Sequence, residues 1–372
     1  MLLATAPEPA RAAESATAGP SVLSARPQYR LFGAYRLMLA CLVLVSHGAG
    51  TMLPQPEVVT RLSIGNAGVF LFFILSGFVI SEALEGFYPS QPGRFLANRL
   101  LRIVPGYWLA LAVTVLIWVA VGHPGLRQLD FRAVFGNLLL FSNDLRIASL
   151  NIISISWSLI IEMEFYVSAA LLYWLIVKTG RRGIWLALAA SIGLAGHVYV
   201  VATESYLRFF APLFYAPFFI FGAALHHLTS RDLPRAATMA VAIAAGLLSA
   251  HGYVRYIERG PADIGISLVV LGVLFALMLA LINLSAPSLN RRDWQLGEIT
   301  YLVYLLHMGV AHMICMWLTG QPEAKLSSNL AGTAGIVAML LITFVLAGVL
   351  QRAAIRPLSR WRNRLRGTEL FR

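Results

Sequence analysis

Arg36 and His47 stand eleven positions apart in "YRLMLACLVLVSHG" (35–48), an otherwise apolar stretch. At about 100° per residue this spacing returns to the same helical face after roughly three turns, with about 16 Å of rise between the two. Ionisable side chains inside an apolar helix are costly and normally face a cavity. Two further stretches carry the same signature. In "SWSLIIEMEFYV" (156–167), Ser158, Glu162 and Tyr166 recur at i, i+4 and i+8 and form one polar stripe, with Trp157 at its outer end. In "LGEITYLVYLLH" (296–307), Tyr301, Tyr304 and His307 follow at intervals of three. An imidazole titrates near pH 6.5 and suits a general base or a station in a proton relay, while a guanidinium fork suits phosphate. The two stripes and His47 are expected to converge on one buried polar chamber.

The elements that must position these residues are membrane helices. The chain has 372 residues, 58% of them hydrophobic and 12% charged, and a mean hydropathy of +0.73. Such values lie outside the ordinary soluble range. Ten runs are long enough to span a bilayer, near 31–52, 63–83, 103–121, 152–177, 183–202, 207–228, 236–251, 264–284, 297–318 and 329–352. "FRAVFGNLLLF" (131–141) is too short and reads as an interfacial or re-entrant helix. The expected fold is therefore an all-α, polytopic membrane bundle of about ten helices.

The basic residues orient it. With the N-terminus inside and ten alternating spans, 21 of the 29 lysines and arginines fall on the cytoplasmic side, which is the positive-inside pattern with both termini cytoplasmic. The net charge of +12 is thus chiefly a topology signal and implies no nucleic acid. Residues 1–28, rich in Ala, Pro and Ser, read as a disordered cytoplasmic tail, 29–355 as the membrane domain, and 356–372 as a basic tail suited to anionic lipid. Cys41 and Cys315 sit in apolar runs and read as small hydrophobes, not as a disulfide or metal pair. Ser76, Gly77, Gly65 and Gly68 read as close helix-packing positions, Trp118, Trp174 and Trp317 as interfacial belt residues, and His226 and His227 as a wet helix end.

Five pieces in order carry a resemblance: Arg36 with His47, "GVFLFFILSGFVIS" (68–81), "RLLRIVPGYW" (99–108), "WSLIIEMEFY" (157–166) and "LGEITYLVYLLH" (296–307). In order and spacing the chain resembles the acyltransferase-3 family of membrane O-acyltransferases, over roughly residues 30–355. The resemblance implies transfer of an acyl group, commonly acetyl from acetyl-CoA, to hydroxyls of cell-envelope or exported carbohydrates, in a multi-pass protein of a bacterial inner membrane. It ties activity most closely to Arg36 and His47. One departure is Met163, which stands where the usual pattern has a second glutamate; Glu162 keeps the first. The resemblance does not extend to the C-terminal hydrolase-like domain of some fused relatives.

On this reading His47 and Glu162 are the catalytic residues, His47 as base and Glu162 as its orienting or balancing charge. Arg36, Arg99 and Arg102 hold the phosphates of acyl-CoA, the donor, and no metal is expected. Trp157, Ser158, Tyr166, Tyr301, Tyr304 and His307 face the substrates, and the acceptor is a carbohydrate or glycolipid. Direct transfer and a covalent acyl-enzyme both remain open, as does the oligomeric state. A proton-coupled secondary transporter is the alternative, with intramembrane His and Glu as a relay, although no inverted repeat is visible.

Overall fold

The computed structural model describes residues 31–140, 150–204, 211–257, 261–284 and 291–357. The N-terminal tail and nearly all of the basic C-terminal tail lie outside the described residues. The long helices are α1 (Phe32–Met52), α3 (Ile64–Glu82), α4 (Pro92–Val121), α6 (Trp157–Thr179), α7 (Arg182–Ala202), α8 (Ala211–Ser230), α9 (Arg235–Ile257), α10 (Pro261–Asn283), α11 (Arg291–Thr319) and α12 (Asn329–Leu350). Two short ones are α2 (Glu57–Leu62) and α5 (Phe131–Leu138). Among the described residues ten helices are long and apolar enough to cross a membrane, matching the ten runs read from the sequence. The protein is an all-α, polytopic helix bundle.

The short run before α6 does not span. Helix α5 has eight residues, about 12 Å of rise, against a hydrocarbon core near 30 Å. Asp130 caps it by accepting from the Ala133 N–H at 2.6 Å, and Asn137 ties it to Leu150 and Ile152 ahead of α6. Phe131, Val134, Phe135 and Leu138 are exposed on one side, as in a helix lying along an apolar surface.

In lipid no hydrophobic force drives helices together, so close approach of backbones matters most. Helices α1 and α11 show this. They run parallel with a constant offset of 260 residues, from Gly33 beside Asp293 to His47 beside His307. A Cβ on Gly33 would stand 1.7 Å from the Asp293 carbonyl oxygen, so only glycine permits the crossing. The Asp293 carboxylate accepts from the N–H groups of Gly33 at 2.9 Å and Ala34 at 2.7 Å. A residue 260 positions away in sequence thus satisfies the orphan donors at the start of α1.

Helix α4 lies parallel to α11, with Gly106 beside Tyr301 and Thr114 beside Gly309. Helix α3 runs antiparallel to α1 and is the most buried span, 83% of its apolar window being inside the protein. It crosses α8 where Gly77 and Gly222 press against opposing backbone; a Cβ on either would come within 2.1 Å of a carbonyl oxygen. Helix α12 runs antiparallel to α1, and Ile355 beyond its end reaches Gly106. The start of α1 and the end of α12 therefore emerge on one side of the bundle, called here the Arg36 side.

Candidate active site

Five helices enclose a cavity of about 100 Å³. Arg36 from α1, Ser76 from α3, Arg99 and Arg102 from α4, Ser158, Glu162 and Tyr166 from α6, and Tyr301 and Tyr304 from α11 line it, with Phe72, Phe73 and Ile103 among its apolar walls. The Ser158–Glu162–Tyr166 stripe and the Tyr301–Tyr304 part of the other therefore meet across one chamber. Each helix contributes its polar face here because its other faces meet lipid or apolar neighbours, where an unpaired polar group would be costly.

Glu162 is the anionic centre. Its Oε1 accepts from Ser76 Oγ at 2.9 Å and from the Tyr166 hydroxyl at 2.5 Å. Around it stand three guanidinium groups, so the lining carries more positive than negative charge. Arg99 is almost fully buried, its guanidinium 5.2 Å from the Phe95 ring centroid and 5.4 Å from that of Tyr166. Two rings that meet edge to face border the guanidinium, while its Nε has no protein partner. Glu298, outside the lining, interacts electrostatically with Arg102. Tyr301 donates to the Ile103 carbonyl at 2.9 Å, tying α11 to α4. Ser158 and Tyr304 share a hydrogen bond of 2.9 Å, tying α6 to α11.

His47 and His307 do not line this cavity. They form their own pair, with His47 Nδ1 2.9 Å from His307 Nε2 and the ring planes 9° apart. His307 is fully buried and its Nδ1 lies 2.6 Å from the Tyr304 carbonyl oxygen. A carbonyl only accepts, so His307 Nδ1 carries the proton. In the neutral ring its Nε2 is then an acceptor, and His47 Nδ1 must donate to it. The lone pair of neutral His47 is thereby left on Nε2. Tyr304 connects pair and cavity, lining the chamber while its ring centroid lies 5.9 Å from that of His307.

Eight of the eleven residues singled out in the sequence line the chamber: Arg36, Arg99, Arg102, Ser158, Glu162, Tyr166, Tyr301 and Tyr304. His47 and His307 sit next to it along α1 and α11. Trp157 packs instead with Phe73, Tyr215 and Tyr256, in an aromatic group whose rings lie 5.7 to 6.3 Å from its own. Ser76, read as a packing residue, faces the chamber while its neighbour Gly77 makes the helix contact. The two differ by one 100° step around α3, and the "SG" pair alone does not reveal which faces a carboxylate. Trp118, read as a belt residue, is instead buried and stacked on His123 at 4.1 Å. Trp174 and Trp317 are exposed. His226 and His227 are buried, not wet, because Glu85 and Asp232 partner them.

The sequence model of the family described as "Acyltransferase domain" matches residues 34–348. Exopolysaccharide production protein ExoZ of Rhizobium meliloti (strain 1021) is 27% identical over 302 residues, covering 76% of this chain and 89% of that protein. Nodulation protein 10 of Rhizobium leguminosarum bv. viciae is 24% identical over 328 residues, covering 80% and 86% respectively. No solved structure matches the chain. The family match takes in every residue of the chamber and both paired histidines. The chain is a multi-pass membrane protein with an acyltransferase domain, and it belongs to the acyltransferase-3 family.

Proposed function

We propose that the chain is an O-acyltransferase that moves an acyl group, acetyl by the family resemblance, from acyl-CoA to a hydroxyl of an exported or cell-envelope carbohydrate. It does so in a bacterial inner membrane with the Arg36 side cytoplasmic, where the basic residues concentrate and acyl-CoA is found. The observation that carries this reading is a guanidinium-lined chamber next to a histidine whose free nitrogen is set by its partner.

The arginines suit the donor. Three guanidinium groups with one carboxylate favour an anionic ligand, and arginine binds phosphate through paired donors. Phosphates would stay near Arg36, Arg99 and Arg102 while the thioester arm reaches toward Tyr304 and His47, about 16 Å up α1. His47 Nε2 takes the proton from the acceptor hydroxyl as its oxygen attacks the thioester carbonyl. The C–S bond breaks, and the departing thiolate receives a proton, so the reaction is balanced as alcohol plus thioester to ester plus thiol. The Ser158 and Tyr304 hydroxyls, bonded to each other and to the Ile155 carbonyl, would turn to donate to the developing oxyanion. Glu162 balances the arginines and fixes Ser76 and Tyr166.

A carbohydrate acceptor is supported by the relative named for exopolysaccharide production. Trp157, Tyr215 and Tyr256 add an aromatic surface suited to sugar faces, with Tyr256 exposed. Incubating membranes that contain the protein with radiolabelled acetyl-CoA and envelope carbohydrates should move label into the carbohydrate. Label that stays on CoA, with proton-driven uptake of an intact solute instead, would favour a transporter.

A further inference from the structure

A second polar cluster lies on the Arg36 side, away from the chamber. Glu85 rides on the π-helical turn Ala83–Phe87 that ends α3. His226 and His227 are adjacent near the end of α8, and Asp232 follows in the turn to α9. There Arg231 takes a φ of 57°, which folds the chain back. Both imidazoles are buried and point ring nitrogens at the carboxylates. His226 Nε2 is 3.0 Å from Glu85 Oε2, His227 Nδ1 is 3.3 Å from Asp232 Oδ2, and His227 Nδ1 is 3.7 Å from Glu85 Oε1.

We propose that Glu85, His226, His227 and Asp232 form a binding site for a divalent cation of the zinc class, one that ties the end of α3 to the end of α8. The donor set is two imidazoles and two carboxylates, the hard-to-borderline mixture that Zn²⁺ takes. The spacing fits as well. Ligands at about 2.0–2.1 Å from a tetrahedral ion stand roughly 3.3 Å from one another, a value that the two imidazole–Glu85 distances of 3.0 and 3.7 Å bracket and the His227–Asp232 distance of 3.3 Å matches. Ligand atoms of Glu85, His226 and His227 all lie within 4.8 Å of one another.

Charge points the same way. The two carboxylates here face the Arg182 guanidinium, which bridges Glu85 and Asp232. A divalent ion in place of that guanidinium would match the charge of the two carboxylates. Tyr173 also donates to Glu85 at 2.8 Å, and would remain as a neighbour orienting that carboxylate. The Arg182 side chain is 35% exposed at the start of α7 and can swing to solvent when an ion takes its place. The competing account is a purely hydrogen-bonded lock, in which Arg182 is an essential member.

The two accounts part at Arg182. Protein without a polyhistidine tag is stripped with chelator, equilibrated with zinc, and analysed for bound metal by mass spectrometry. The wild type should retain about one zinc per chain, with a melting temperature that rises with zinc. His226→Gln with His227→Gln should lower retention at least about tenfold and abolish the zinc-dependent rise. Arg182→Gln, which removes the competing cation, should bind zinc at least as tightly as the wild type. Wild-type retention no higher than that of the double variant, or loss of zinc in Arg182→Gln, overturns the proposal. Because retention is read without acyl transfer, the result is independent of the proposed activity.

Discussion

His47 Nδ1 lies 2.9 Å from His307 Nε2, and the other nitrogen of His307 is committed to the Tyr304 carbonyl at 2.6 Å. One main-chain oxygen thereby decides, through two rings, that His47 presents a lone pair from Nε2. Both helices bring these rings together because α1 and α11 run parallel in a register held at their starts by Asp293.

On the proposed mechanism His307 is a positioning residue. His307→Ala should lower kcat about 10- to 100-fold and leave the KM for acyl-CoA nearly unchanged. His307→Gln keeps a carbonyl that can accept from His47 Nδ1–H and should recover part of the loss. Steady-state kinetics on both variants check this; equal losses in the two, or a matching rise in KM, would assign His307 to packing alone.

The Arg99 guanidinium stands beside the rings of Phe95 and Tyr166, 5.2 and 5.4 Å from their centroids. Lysine keeps the charge but neither the stacking surface nor the paired donors. Arg99→Lys is expected to raise the KM for acyl-CoA about tenfold or more with a smaller change in kcat. Kinetics over a range of donor concentrations provide the test.

The Asp293 carboxylate caps α1 from another helix. Asp293→Ala should destabilise the protein by about 0.5–2 kcal/mol, the usual range for a lost N-cap, and Asp293→Asn by less because one acceptor remains. Thermal melting in detergent measures both.

His123, beyond the end of α4, accepts from the Gly125 N–H through Nδ1 at 3.0 Å and stacks on Trp118. Burial first, and His312 second, push its pKa down from 6.5 to about 4. A base with a depressed folded pKa binds its proton more readily when unfolded, so this residue costs no stability above pH 6.5 and lowers it as pH falls toward 4. His123→Asn keeps an acceptor for the cap and does not titrate. Its melting temperature should fall less than that of the wild type between pH 7 and pH 4.5, in paired melts at the two values.

Much of this was legible in the sequence, for a physical reason: in a bilayer a polar side chain stands out against an apolar run. Glu162, Ser158, Tyr166, Tyr301 and Tyr304 were found by that contrast, and all line the chamber. The ten spans follow from the length of the apolar runs. What escaped depends on partners distant in the chain. Ser76 and Gly77 are alike as small residues until Glu162 and Phe219 are placed opposite them. His226 and His227 look wet beside "LTSRD" until Glu85, 141 residues earlier, arrives to bury them. That His47 and His307 pair with each other and not with Glu162 follows from the α1–α11 register, which no local pattern encodes.

The most direct measurement is single-turnover transfer of label from acetyl-CoA to envelope carbohydrate by wild type and His47→Asn, with donor binding measured on the same membranes. The account predicts that transfer falls at least about a hundredfold in the variant while donor affinity changes by less than about threefold. Undiminished transfer in His47→Asn would contradict it.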